Sequence, residues 1–322
     1  MKLFIATTLL ISSFAWSETK TTTEEQTSKS KPVSIQIGSE DKSEDEADQV
    51  ITNRRLRADS GSLSKWSGSL YFNYQGGSVA DPLKPNRPNI VAGADALSLQ
   101  NFTGTVGIRY RLTALDSITA STGFFITTPF HDRIVTNDPK LKKSFKDTNR
   151  KLNINDPLLK YLHLDKVFGL QSVTNFTPTL ITNNQQHDVG YRSSWLLSQT
   201  LMKEWGNGFS FGIATQGVFY TYEVEDPKNN SKIAKNVLGI YPAAEYVIND
   251  TFNVRTVFGT WVYEQTRNLE SDTWVKRKVY QSVGLGISLS RDVFLYPNIQ
   301  YIPSDIRSDR TNIAISANVN VF

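Results

Sequence analysis

Residues 311–322 read TNIAISANVNVF. Ile313, Ile315, Ala317, Val319 and Val321 fall on one side of an extended chain, and Asn312, Ser316, Asn318 and Asn320 fall on the other. Side chains alternate across a strand, so this segment has one apolar face and one polar face. A strand that ends its chain, with Phe322 as the last residue, is expected to be tied into a sheet. The residues upstream say which sheet.

The period of two runs back through the chain. Trp66, Leu70, Phe72 and Tyr74 alternate with Ser67, Ser69, Tyr71 and Asn73. Phe102, Val106, Ile108, Tyr110 and Leu112 alternate with Thr103, Thr105, Arg109 and Arg111. The pattern returns at 118–126, 209–213, 238–244, 252–258, 279–289 and 293–299. No window of comparable length carries a helical period. Mean hydropathy is −0.34. That value does not argue against a membrane, because in alternating strands the polar face cancels the apolar one.

Before Trp66 the texture differs. MKLFIATTLLISSFAWSET opens with Lys2, an apolar run from Leu3 to Phe14, and the small-x-small site Ala15-Trp16-Ser17. Residues 1–17 read as a secretory signal peptide, too short to span a bilayer. Residues 18–65 are rich in Ser, Thr, Glu and Lys and read as a disordered polar tail. Within it, EDKSEDEAD (Glu40 to Asp48) is acidic and RRLR (Arg54 to Arg57) is basic. The plain reading is a solvated linker; the sharper one is a negative tail that enters a positive lumen and plugs it. Cysteine is absent, which excludes disulfides, thiolate metal sites and a lipoprotein anchor. A net charge of +4 is mild and gives no argument for nucleic acid.

The connections between strands differ in length. Short ones are expected at 113–117, 163–167, 203–208, 249–251 and 290–292, and long polar ones at 77–98, 129–153, 182–188, 225–236, 265–274 and 303–310. Short turns on one side and long loops on the other are the pattern of an outer-membrane barrel. A barrel with both ends of its wall on one side needs an even number of strands. Reading 154–163 and 168–180 as two strands satisfies this, for about twelve strands in residues 66–322. The fold class is therefore all-β: a closed antiparallel transmembrane β-barrel.

With its leader, its lack of Cys, its alternating strands, its turn asymmetry and Phe322, the chain resembles bacterial outer-membrane β-barrel proteins, and among them the mid-sized porin-like channels. The resemblance implies an outer-membrane location with the N-terminal tail in the periplasm. It implies contact with the lipid bilayer and lipopolysaccharide, and use of the barrel-assembly machinery through the C-terminal strand. In such proteins the last residue, here Phe322, belongs to the assembly signal. The family pattern puts apolar residues in register with it; here Asn320, Asn318 and Ser316 take those places.

In this reading the apolar set faces lipid and the polar set the lumen; the alternative is a soluble barrel or sandwich with the faces reversed. Arg109, Arg111, Lys160, Arg192, Arg255, Lys276, Lys278 and Glu245 are then expected to point inward or to the inner rim. The hairpin around Asn249-Asp250-Thr251 places Glu245 directly across from Arg255, as a structural ion pair. A low-dielectric wall carrying mostly one sign of charge concentrates counter-ions, so the remaining cations favour acidic solutes. The basic loop 129–153 is a candidate constriction or a surface for lipopolysaccharide phosphates.

The three histidines, His131, His163 and His187, form no hydrolase pattern, and no metal-ligand spacing or cofactor motif occurs. The expected function is a porin-like channel for passive diffusion of small hydrophilic solutes, with anions favoured and no enzymatic activity. A non-conducting structural or adhesion barrel is the alternative, and an outer-membrane hydrolase a distant third.

Overall fold

The computed structural model describes residues 45–131, 151–182, 184–187, 190–223, 234–259, 261–266 and 273–322. The alternating segments form β1 (Trp66–Ser78), β4 (Asn101–Arg111), β5 (Asp116–Thr127), β6 (Leu152–Val167), β7 (Leu170–Leu180), β8 (Tyr191–Glu204), β9 (Phe209–Tyr222) and β10 (Ala234–Val247). They continue as β11 (Phe252–Gly259), β12 (Trp261–Thr266), β13 (Trp274–Lys276), β14 (Tyr280–Ser290), β15 (Val293–Tyr301) and β16 (Asn312–Val321). Two further strands, β2 (Asn86–Asn89) and β3 (Gly93–Leu99), make a hairpin inside the first long connection.

Each wall strand pairs antiparallel with its chain neighbour. β11 and β12 lie end to end against β10, and β14 and β13 lie against them in turn, so each couple acts as one wall strand. The result is a closed barrel of twelve strands. β16 closes it on β1, with Val321 opposite Gly68 and Ile315 opposite Tyr74. Closure removes the free edges that would leave backbone groups unpaired.

The faces follow the alternation. Ile108 is 63% exposed on the outside while Arg109 is 6% exposed within. Trp66, Leu197, Phe211, Leu238, Val254 and Ile315 belong to the same apolar outer belt. One turn differs from expectation. The β6–β7 turn is not at 163–167 but at Phe168-Gly169, both left-handed (φ 52° and 75°). Two consecutive positive φ angles match the twist of the flanking strands, and Gly169 adopts one of them at no steric cost. The basic stretch 132–150 and residues 1–44, including the leader, lie outside the described residues.

The stretch expected to be a disordered tail is folded from Asp45 onward. α1 (Glu46–Val50) starts at Asp45, whose side chain accepts from the Ala47 N–H at 2.9 Å. α2 (Arg54–Ser60) starts at Asn53, which accepts from the Leu56 N–H at 3.0 Å. Helices this short do not persist alone. Of their apolar residues Ala47, Leu56 and Ala58 are buried, as is Ile51 just after α1, and Val50 is half-buried against them. Docking holds them, and composition gave no sign of it because most of the partners lie more than a hundred residues away.

Candidate functional site

The segment 45–65 crosses the inside of the barrel at the short-turn end. On one side Gln171 of β7 accepts from the N–H groups of Thr52 and Asn53, each at 3.0 Å, and Glu204 of β8 accepts from Thr52 Oγ1 at 2.7 Å. On the other side Asn320 of β16 donates to the Ala58 carbonyl at 2.7 Å, and Asn318 reaches Asp59. β8 and β16 are half a circuit apart in the strand order, so these bonds bridge opposite walls. Ser62 donates to the Phe322 carbonyl at 2.7 Å, and Phe322 itself lies just beyond β16 with its side chain outside.

Charge complements the docking. Arg111 grips the Asp45 carboxylate at both oxygens, and Arg291, in the β14–β15 turn, grips Asp48 from Nε (3.0 and 2.9 Å) and Nη2 (2.7 Å). Arg109 donates to the Ser62 carbonyl at 3.0 Å. Burial would raise the Asp45 pKa, but the Arg111 and Ala47 hydrogen bonds and the Arg111 and Arg291 charges outweigh it, and the net shift is downward. Deeper in, Arg55 pairs with Asp59 at 2.6 Å on the same helix. Burial pushes Asp59 up to about 6, against the pull of Arg55, Lys160 and Arg255. Burial likewise brings Arg55 down to about 10.

The expectation that the polar set lines the lumen holds on β1, β4 and β16 and fails on part of β6–β12. There Leu162, Leu164, Val173, Met202, Val218 and Val262 point inward and pack with Ala47, Ile51 and Leu56. The physical reason is the plug itself: these inner residues face protein, not water. From the long-loop end the β2–β3 hairpin also folds in. Val91 packs against the same cluster, Ile90 and Ala94 pack against Ile302, and Asn312 donates to the Pro88 carbonyl at 2.9 Å. The lumen is thus occupied from both ends.

Glu245 and Arg255 are direct cross-strand partners, as the hairpin arithmetic requires. Arg255 Nε donates to Glu245 Oε1 at 2.7 Å, and its guanidinium lies 4.6 Å from the Tyr296 ring centroid. Arg109, Arg111 and Lys160 also point inward, Arg109 and Arg111 at the short-turn end. The other three expected cations stand toward the long-loop end. Arg192 sits where the β8–β9 register slips, at the long-loop rim, paired with Glu223 and His187. Lys276 lies opposite Tyr263, on the outer face, and is exposed. Lys278 falls in the break between β13 and β14, at 277–279, and is exposed beside Gly93 of the β2–β3 hairpin. That break inverts the alternation, so Arg277 is the residue that meets the inward Glu264. Sequence reasoning missed Arg291, Asp45, Asp48, Arg55 and Asp59. Their signal was present as an acidic run and then a basic one, but its partners are non-local. His163 bonds Asp116 across the β5–β6 pair at 2.8 Å, at the short-turn end.

Comparison with known proteins gives fold likeness only. Neither the family models nor the curated proteins contain a match. An outer-membrane channel from Pseudomonas putida F1 is similar over 82% of this chain and 97% of its own, at 11% identity and a TM-score of 0.53. The NanC porin is similar over 80% of this chain and 98% of its own, at 10% identity and a TM-score of 0.42. The Ralstonia pickettii toluene transporter TbuX is similar over 80% and 78%, at 11% identity and 0.37. The likeness to the Pseudomonas putida channel places this chain in the fold of the outer-membrane β-barrels.

Proposed function

We propose that the protein is an outer-membrane, porin-like channel for small hydrophilic solutes, closed in the described state by its own residues 45–65. The observation that carries this reading is the bridge from β8 to β16 through Thr52, Asn53 and Ala58. A segment that crosses the lumen on hydrogen bonds, ion pairs and apolar packing, and is joined covalently to the wall only where it runs into β1, can leave it. The apolar outer belt would meet the bilayer and, at the long-loop rim, lipopolysaccharide. The short-turn end, with the N-terminal segment, would face the periplasm, and β16 would meet the assembly machinery. Once the segment leaves, Arg109 and Arg111 would face the pathway and favour anions.

The test is single-channel current of the refolded chain in a planar bilayer under a salt gradient. The full chain should show small or rare steps. Deletion of residues 18–60 should give larger, long-lived steps with an anion-biased reversal potential. A deleted chain that inserts correctly and stays silent would support the second reading, a non-conducting structural barrel, which the filling of the lumen from both ends favours.

A further inference from the structure

We infer that Arg109, Arg111 and Arg291 form a carboxylate-binding site at the short-turn end of the lumen, that the chain's own Asp45 and Asp48 occupy it, and that a soluble dicarboxylate competes with them. The release of the plug by such a ligand rests on the channel reading above; the binding site does not. Arg111 and Arg291 each present a guanidinium fork to a carboxylate, Arg111 at both oxygens of Asp45 and Arg291 at both oxygens of Asp48. Planar two-point recognition is what distinguishes arginine from lysine at such sites. Arg109 completes the group. It is buried, within electrostatic reach of Arg111, Arg291 and Asp292, and its Nε has no hydrogen-bond partner among the described residues.

The wall itself does little to neutralise this cluster. Among the described residues Asp292, 3.1 Å from Arg291 Nη1, is the wall carboxylate that faces it. The other acids that touch it, Asp45 and Asp48, come from the plug, and Asp48 is shared with Arg57 of the plug at 3.6 Å. With the plug out, three guanidiniums face one wall carboxylate across a confined, low-dielectric space. A free dicarboxylate then meets the chemistry that Asp45 and Asp48 met. Tethering gives the chain's own carboxylates an effective concentration in the mM range, so a free competitor acts at mM levels.

The experiment uses the full chain carrying Ala47→Cys, a buried plug position in a protein without cysteine. The rate of modification by a water-soluble thiol reagent reports plug release. Succinate should raise that rate by about tenfold and saturate in the mM range. Chloride at equal ionic strength should raise it much less, since screening alone does not fit the fork. Equal rates in succinate and chloride would overturn the proposal. Asp45→Asn/Asp48→Asn gives an independent reading: calorimetry should show succinate binding at least about tenfold tighter than to the unaltered chain, because the tethered competitors are gone. No binding there would also overturn it. If succinate releases the plug but no current follows in bilayers, the site stands and the channel reading falls.

Discussion

Glu245 and Arg255 face each other across the β10–β11 pair at 2.7 Å, with neither side chain reaching solvent. Among the described residues Nη1 and Nη2 of Arg255 have no hydrogen-bond acceptor, so Glu245 and the Tyr296 ring carry most of the compensation for a buried guanidinium. Removing one member strands the other charge. Arg255→Met or Glu245→Leu alone should cost about 3–5 kcal/mol, while the double substitution should recover most of that loss. Denaturant midpoints of the refolded protein check it; two single losses that simply add would refute the coupling.

Plug docking should strengthen as the medium is acidified from pH 7 toward 4. Asp59 has an ordinary value of 3.8 and is pushed up to about 6 in the lumen, chiefly by burial. A group whose docked pKa is raised binds a proton on docking, so its stabilisation is present below the undocked value and lost as pH rises through about 6. Asp45 works in the opposite sense, but only at and below its ordinary 3.8. Open probability in bilayers should therefore fall between pH 7 and 5. Asp59→Asn should flatten that fall; an unchanged profile would show that another group controls it.

Gly61 ends α2 with φ 89° and ψ 177°, a region other residues enter only with strain. A Cβ there would lie 1.7 Å from Arg109 Nη1. Gly61→Ala should weaken docking by about 1–3 kcal/mol and raise open probability, with the barrel's own unfolding midpoint little changed.

Selectivity should respond to position, not to charge count. Lys276→Ala removes a cation that lies on the outer face, and the reversal potential should hold. Arg111→Ala in the chain lacking residues 18–60 should move it toward zero. A shift caused by Lys276→Ala would place that side chain on the pathway after all.

The wall was legible because a strand's face assignment is local: Ile108 and Arg109 sort themselves by parity alone. The Glu245–Arg255 pair was legible for the same reason, since a short hairpin fixes its register by counting. What failed was non-local or irregular. The break at 277–279 reversed Lys276 and Arg277, and the register slip after Tyr191 took Arg192 to the rim. Ile51 and Leu56 looked too sparse to fold, because their core is supplied by Leu162, Val173 and Met202.

The partners of the plug also set an order of events. Residues 45–60 precede every described strand, yet Arg291, Asn318 and Asn320 that hold them lie close to the chain's far end. Contacts so distant in sequence form late. The segment therefore waits through synthesis, and it can take its full seat only when β16 has met β1. Each newly assembled molecule passes through a stage in which the wall is complete and the short-turn end of the lumen is still empty. In the reading proposed here, a burst of unsealed permeability accompanies its birth.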